Sequence, residues 1–238
     1  MKILGNGISY DDSDSFRGTD ILLGICFFLG LLGLGLAIAV NFRPLYYWNI
    51  DNFDLEKVSG LSRDTIIENY DALIDYCSPF NFSELHFPTL KASFSGLSHF
   101  AEVKNLFRIF YILGFVSICI TVYGFIVRHR EKAISHFRVC AITSVVIPVI
   151  LVIISIINFD ALFILFHKIA FNNEDWIFDP AQDPIIELLP EGFFMLCLMV
   201  IAFTIIIGAA TVLIIYMMKR NKKRSRGGML PKKMNFYY

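Results

Sequence analysis

The sequence predicts an all-α membrane protein in which four transmembrane helices carry a small, mostly helical extracellular cap. Three observations lead there. Of 238 residues, 56% are hydrophobic, and the mean hydropathy of +0.61 is too high for an ordinary soluble domain. Residues 21–42, 109–127, 139–157 and 193–218 form four segments long enough to cross a hydrocarbon core, and none carries a formal charge. The net charge of zero also conceals an asymmetry. Segments 1–20, 128–138 and 219–238 hold fourteen basic residues against five acidic ones, whereas the two remaining loops hold seven basic and sixteen acidic. By the positive-inside rule both termini and the second connection are cytoplasmic, which leaves 43–108 and 158–192 outside.

The elements follow in order. Ala37-Ile38-Ala39 imitates a signal-peptide cleavage site in the first span. The apolar run is too long for such a signal and no basic segment precedes it, so it is read as a retained anchor. In the cap, Leu55, Val58, Leu61, Ile66, Ile67, Tyr70, Leu73 and Ile74 recur at helical spacing. Gly60 and Ser62 divide that stretch into two short helices, with Ser62 capping the second. Pro79 and Pro88 then enforce turns or extended chain, and from Leu97 a helical pattern runs into the second span.

Pro148 interrupts the third span, which a membrane helix tolerates when neighbours satisfy the freed carbonyl. The next apolar run, 161–171, is too short to span and reads as an interfacial helix over about residues 160–171. Two Asp-Pro steps, Asp179-Pro180 and Asp183-Pro184, mark a turn-rich return to Pro190. The basic tail 219–238 is a topology determinant attracted to anionic lipid. Cys26, Cys119, Cys140 and Cys197 fall inside spans and only Cys77 outside, so no disulfide framework is expected.

Familiar catalytic motifs are missing. The sequence has no His-Glu-x-x-His, Cys-x-x-Cys, P-loop or Gly-x-Ser-x-Gly element; Gly96-Leu97-Ser98-His99-Phe100 lacks the final glycine of the last. Two lone histidines precede spans instead. His99 lies in Ser98-His99-Phe100-Ala101-Glu102-Val103-Lys104, and His167 lies in Phe166-His167-Lys168. Glu102 shares a helix face with His99, and a carboxylate there can fix the imidazole tautomer and raise its basicity. The plainer alternative is a solvated helix with an incidental histidine. Around His167, Phe163, Phe166, Phe171, Trp176 and Phe178 suit either an interfacial belt or an aromatic-walled pocket for an acyl chain. Topology puts both histidines at one membrane surface, so they can converge. His129 and His136 fall on the other side, and His86 is held in reserve. A metal set of His99, Glu102, His167 and Asp179 is possible by inventory, but no spacing demands it; neither metal nor cofactor is predicted.

The Ser98–Lys104 motif, together with His167 and the run Trp176-x-Phe178-Asp179-Pro180 to Pro190-x-x-Phe193-Phe194, resembles the lipoprotein intramolecular transacylase (Lit) family. These are four-span bacterial membrane proteins with an extracellular cap, and the likeness runs from the first span to Met218. Family members more often carry Asp where this chain has Glu102, a departure that keeps the charge. The resemblance implies a plasma-membrane enzyme acting on diacylglyceryl-modified lipoproteins. It moves the sn-2 acyl chain to the amino group of the N-terminal cysteine and leaves the lyso form.

The two catalytic histidines of the family map to His99 and His167. Glu102, Lys104, Tyr47, Trp176, Phe178 and Asp179 are then supporting or substrate-binding residues, as pocket walls and loop braces. Aminolysis of an ester needs a base for the amine and an acid for the leaving oxygen, and two imidazoles can divide those tasks. His99 with Glu102 is assigned the base and His167 the acid, with the reverse left open. Two other readings compete: a non-catalytic receptor or lipid-binding scaffold, and a metal-dependent membrane hydrolase. Nucleic acid is not expected as a partner.

Overall fold

In lipid a backbone has only itself for hydrogen bonding, so each long uncharged run closes its own bonds as a helix. The computed structural model describes residues 16–228, and its elements are helical throughout. They are α1 (Gly18–Asn41), α2 (Pro44–Tyr47), α3 (Leu55–Ser59), α4 (Arg63–Cys77), α5 (Phe94–Arg130), α6 (Ser135–Ile157), α7 (Phe159–Ala170), a 3-10 turn over Pro184–Leu188, and α8 (Glu191–Gly228). Helices α1, α5, α6 and the stretch Glu191–Lys223 of α8 are long and apolar enough to cross a membrane. Basic residues beyond 228 and acidic ones before 16 lie outside the described residues.

Helix α1 is the hub of the bundle, packing against α5, α6 and α8, while α6 also packs on α8. Small residues permit the closest crossings. A Cβ on Gly33 would lie 2.8 Å from the Gly114 Cα in α5, and one on Gly35 would lie 3.0 Å from the Ile201 Cα in α8. Any larger residue at 33 or 35 would push two backbones apart, which is why membrane interfaces favour small side chains.

Helix α5 has 37 residues, which is about 55 Å of helix against a hydrocarbon core of about 30 Å. The excess projects into the cap and carries His99. The cap core gathers Tyr46, Ile50, Leu55, Ile66, Tyr70, Ile185 and Leu188 from α2, the turn that follows it, α3, α4 and the 3-10 turn. Tyr46 and Tyr70 stack with ring centroids 3.6 Å apart, and the Tyr46 hydroxyl donates to the Leu188 carbonyl at 2.8 Å. Gly60, at φ +69°, ends α3 in the left-handed region that glycine favours. Ser62 starts α4 by accepting from the Thr65 amide. Arg43 pairs with Asp71 at 3.2 Å and with Asp75, tying the end of α1 to α4.

The opposite end of the bundle is closed by a buried polar clasp. Arg128 reaches Asp20 at 3.1 Å and Ser135 at 2.9 Å, and the Ser135 hydroxyl donates to Asp20 at 2.7 Å. Glu131 accepts from both Arg17 and Arg128. One network thus fastens α1, α5 and α6 together.

Candidate active site

The site begins where α5 enters the cap. Ser93 caps the helix by accepting from the Gly96 amide at 2.9 Å. Buried Asp183 clamps the same terminus, accepting from the Ser93 amide and hydroxyl at 2.7 Å each. That carboxylate sits favourably at the positive end of a helix. A Cβ at position 96 would collide with it, so the close approach requires glycine there. One turn later α5 presents His99 and Phe100.

The second half comes from α7. Asn158 alone separates α6 from α7 and caps the latter, accepting from the Ala161 amide at 2.9 Å. On α7, Phe163 packs against Phe194 of α8, and His167 reaches His99 of α5. The chain then folds back over Asn173, whose carbonyl accepts from Trp176 Nε1 at 3.0 Å and whose Oδ1 accepts from the Asp175 amide at 3.1 Å. The Asn173 Nδ2 donates to Glu102 Oε1 at 2.8 Å. Asn173 is therefore a strut between α5 and the loop that carries Trp176.

His99 and His167 meet, with ring centroids 5.8 Å apart, and both side chains are buried. Phe171 and Phe178 stand 4.8 and 5.5 Å from the His99 ring; Trp176 and Phe163 stand 5.0 and 4.1 Å from the His167 ring. His167 Nδ1 lies 2.8 Å from the Phe163 carbonyl oxygen. A carbonyl only accepts, so in the neutral ring Nδ1 carries the proton and Nε2 keeps the lone pair. Burial pushes the His167 pKa below its ordinary 6.5, and the Phe163 carbonyl opposes that in part by favouring the cation. His99 Nδ1 is buried with no hydrogen-bond partner, so no second group fixes the tautomer of that ring.

Both rings open on a cavity of about 420 Å³ lined almost wholly by aliphatic and aromatic side chains. Trp176 and Phe178 line it near the histidines, while Leu36, Val40, Leu198 and Ile201 line it within the span region. The other sequence candidates stand outside the lining. Glu102 engages Asn173 rather than His99, and its second oxygen is buried without a partner. Lys104 places its ammonium 3.8 Å over the Tyr76 ring and donates to the Ser83 carbonyl. Tyr47 braces the cap by donating to Asp71 at 2.6 Å, and Asp179 shapes an exposed turn by accepting from the Ala181 amide at 2.9 Å. His86 is an exposed side chain near Glu84. Among the described residues, no three His, Cys, Asp or Glu side chains gather as a metal-binding group.

Sequence reasoning missed Asn173, Asp183 and the Phe163 carbonyl. The second Asp-Pro step was the one visible signal for Asp183. Nothing in the sequence marks a partner 71 positions away for Asn173, or a side chain that folds back on its own helix for His167.

Four spans, a helical cap and a histidine pair over an apolar cavity define a polytopic membrane protein whose site suits an amphiphile. Residues 21–194 match the family described as lipoprotein intramolecular transacylase Lit. The membrane-integral Lit of Bacillus cereus, solved in meso, aligns with a TM-score of 0.82 and 34% identity, covering 87% of this chain and 98% of that one. Two single-histidine variants of the Bacillus cereus protein align at 33% identity over 87% of this chain. The arginine variant gives a TM-score of 0.77 with 95% of its chain covered, and the alanine variant 0.78 with 94%. No curated protein matches. The chain belongs to the lipoprotein intramolecular transacylase family and is an integral membrane enzyme.

Proposed function

We propose that the chain moves the sn-2 acyl chain of a diacylglyceryl-modified lipoprotein to the amino group of its N-terminal cysteine, with His99 and His167 as the acid–base pair. The observation that carries this reading is the pair itself, two imidazoles 5.8 Å apart at the top of an apolar cavity. In the reaction an ester C–O bond breaks and an amide C–N bond forms. The proton lost by nitrogen ends on the departing glyceryl oxygen, so no other reactant is consumed.

His167 suits the base. Its Nδ1–H is engaged by the Phe163 carbonyl, which leaves Nε2 as the basic nitrogen, and burial keeps the ring unprotonated at neutral pH. His99 gives its ring proton to the leaving oxygen and is reprotonated by the His167 imidazolium, so both rings end neutral. This reverses the assignment that spacing to Glu102 favours, because Glu102 is committed to Asn173. A proton on one ring makes a second proton on the other costly, so the pair holds one at a time. Each group contributes roughly 10²–10⁴-fold.

Donor and acceptor belong to one molecule, so no acyl-enzyme is required. Attack closes a ring of about eight atoms, which forms poorly in a floppy chain, and confinement in a tight cavity supplies the orientation. In this reading the cap lies outside the plasma membrane and both termini are cytoplasmic, following the distribution of Lys and Arg.

The test is co-expression with a diacylated reporter lipoprotein and tandem mass spectrometry of its N-terminal lipopeptide. An N-acyl, S-monoacylglyceryl product is expected. An acyl chain that stays on glycerol beside well-expressed protein overturns the reading.

A further inference from the structure

The cavity runs deeper than the chemistry at its top requires. From the histidines it descends between α1, α5, α6 and α8 to Leu36, Leu151, Leu198 and Ile201. Phe194, packed against Phe163 at a ring separation of 5.5 Å, marks the level of His167. Ile201 lies seven positions beyond Phe194 on α8, which is about 10 Å of further depth. At the lower end α1 approaches its neighbours backbone to backbone. Gly35 brings α1 against the Ile201 main chain, and Gly33 brings α1 against Gly114, both just below the cavity. Above these crossings α1 contributes Ala39, a small side chain that leaves room between the helices.

We propose that this well takes the acyl chain being transferred, and that Leu36 and Ile201 form a floor that sets the longest chain accepted. The proposal rests on the transacylase reading and adds its specificity. Below the two imidazoles the lining offers no polar contact by which to sort fatty chains, which leaves the room available to the chain as the discriminator. A floor of packed side chains on loops would give way to a longer chain. This one stands on helices in backbone contact, and retreat would require two spans to separate. A methylene that finds no room is worth about 10-fold or more in discrimination.

The experiment uses the full chain in nanodiscs with an equimolar mixture of synthetic diacylglyceryl lipopeptides whose sn-2 chains differ in length. The N-acylated products are read together by mass spectrometry. The full chain without substitutions is expected to show a sharp drop in product beyond a limiting length. Ile201→Ala raises the long-to-short product ratio at that limit about 10-fold or more, and Leu36→Phe lowers it by a similar factor. Ile201→Val removes one methyl, keeps the helix contact and shifts the ratio less, in the same direction as Ile201→Ala. Ratios taken within one reaction are insensitive to how much protein survives folding. If the unsubstituted chain yields no N-acylated product from any substrate, the transacylase reading itself falls. If it is active and the substitutions leave the length distribution unchanged, or shift it in one common direction, the floor assignment is overturned.

Discussion

His99 and His167 at the cap end and His136 at the opposite end are all buried, yet their surroundings differ in kind. His136 is fully enclosed, with Phe125 and Phe137 rings at 5.1 and 4.1 Å, and neither of its nitrogens has a hydrogen-bond partner. Beside it runs the ion-paired clasp of Arg128, Asp20 and Ser135. The cap-end pair has no ion pair, but its two imidazoles stand 5.8 Å apart and both border an apolar cavity of about 420 Å³. Burial and an unsatisfied ring nitrogen are therefore common to both ends and identify nothing. What separates the two ends is the open space beside the cap-end rings and the second imidazole that each of them meets.

The contrast can be broken most directly at the histidines. Replacing His99 or His167 by Asn is expected to lower acyl transfer roughly 10²–10⁴-fold, measured by lipopeptide mass spectrometry with protein amounts matched. Full activity in either variant removes that ring from the chemistry. At the opposite end, Arg128→Gln leaves Asp20 buried without its counter-charge. A loss of about 3–5 kcal/mol is expected, read as early thermal unfolding in detergent. Unchanged stability would show that the clasp fastens nothing.

The strut between the two halves of the site comes next. Asn173→Ala should lower transfer by up to about 10²-fold through misplacement of the loop that carries Trp176. Glu102→Gln keeps the acceptor oxygen and should retain most activity, whereas an equal loss in both variants would mean that the Glu102 charge itself acts.

A pH profile sharpens the base assignment. Burial lowers the His167 pKa, so the neutral form persists at and somewhat below the ordinary value of 6.5. Below about pH 8 the rate should fall about 10-fold per unit as the substrate's own N-terminal amine is protonated, and titration of His167, on the acidic side of its ordinary value, adds a second limb that steepens the fall toward about 100-fold per unit. A second limb that sets in already above pH 7 contradicts a buried base. The smallest effect is expected at His136. His136→Phe removes two unsatisfied nitrogens from a packed aromatic site, so transfer should persist and stability should change by no more than about 1 kcal/mol.

Much of the framework was legible because it rests on local rules. Charge-free runs of span length are helices wherever they lie in lipid, Gly60 ends α3, and Ser62 begins α4 by the side-chain bond its position predicts. The short apolar run after the third span gives a helix, Phe159–Ala170, too short to cross. The site was legible only as residue types. The spacing that pairs Glu102 with His99 was sound helix geometry, but Glu102 found a stronger partner in Asn173, which arrives from a loop 71 residues on.

What the sequence by itself determined is the membrane class, the four spans, the charge asymmetry and two histidines beside apolar spans, all of which follow from composition and periodicity along the chain. Only the tertiary structure decided that the two imidazoles meet, that Phe163 sets the His167 tautomer, and that Gly33 and Gly35 draw helices together beneath a cavity. Those features arise where distant segments touch. A contact across space depends on how whole helices pack, and local pattern does not encode it.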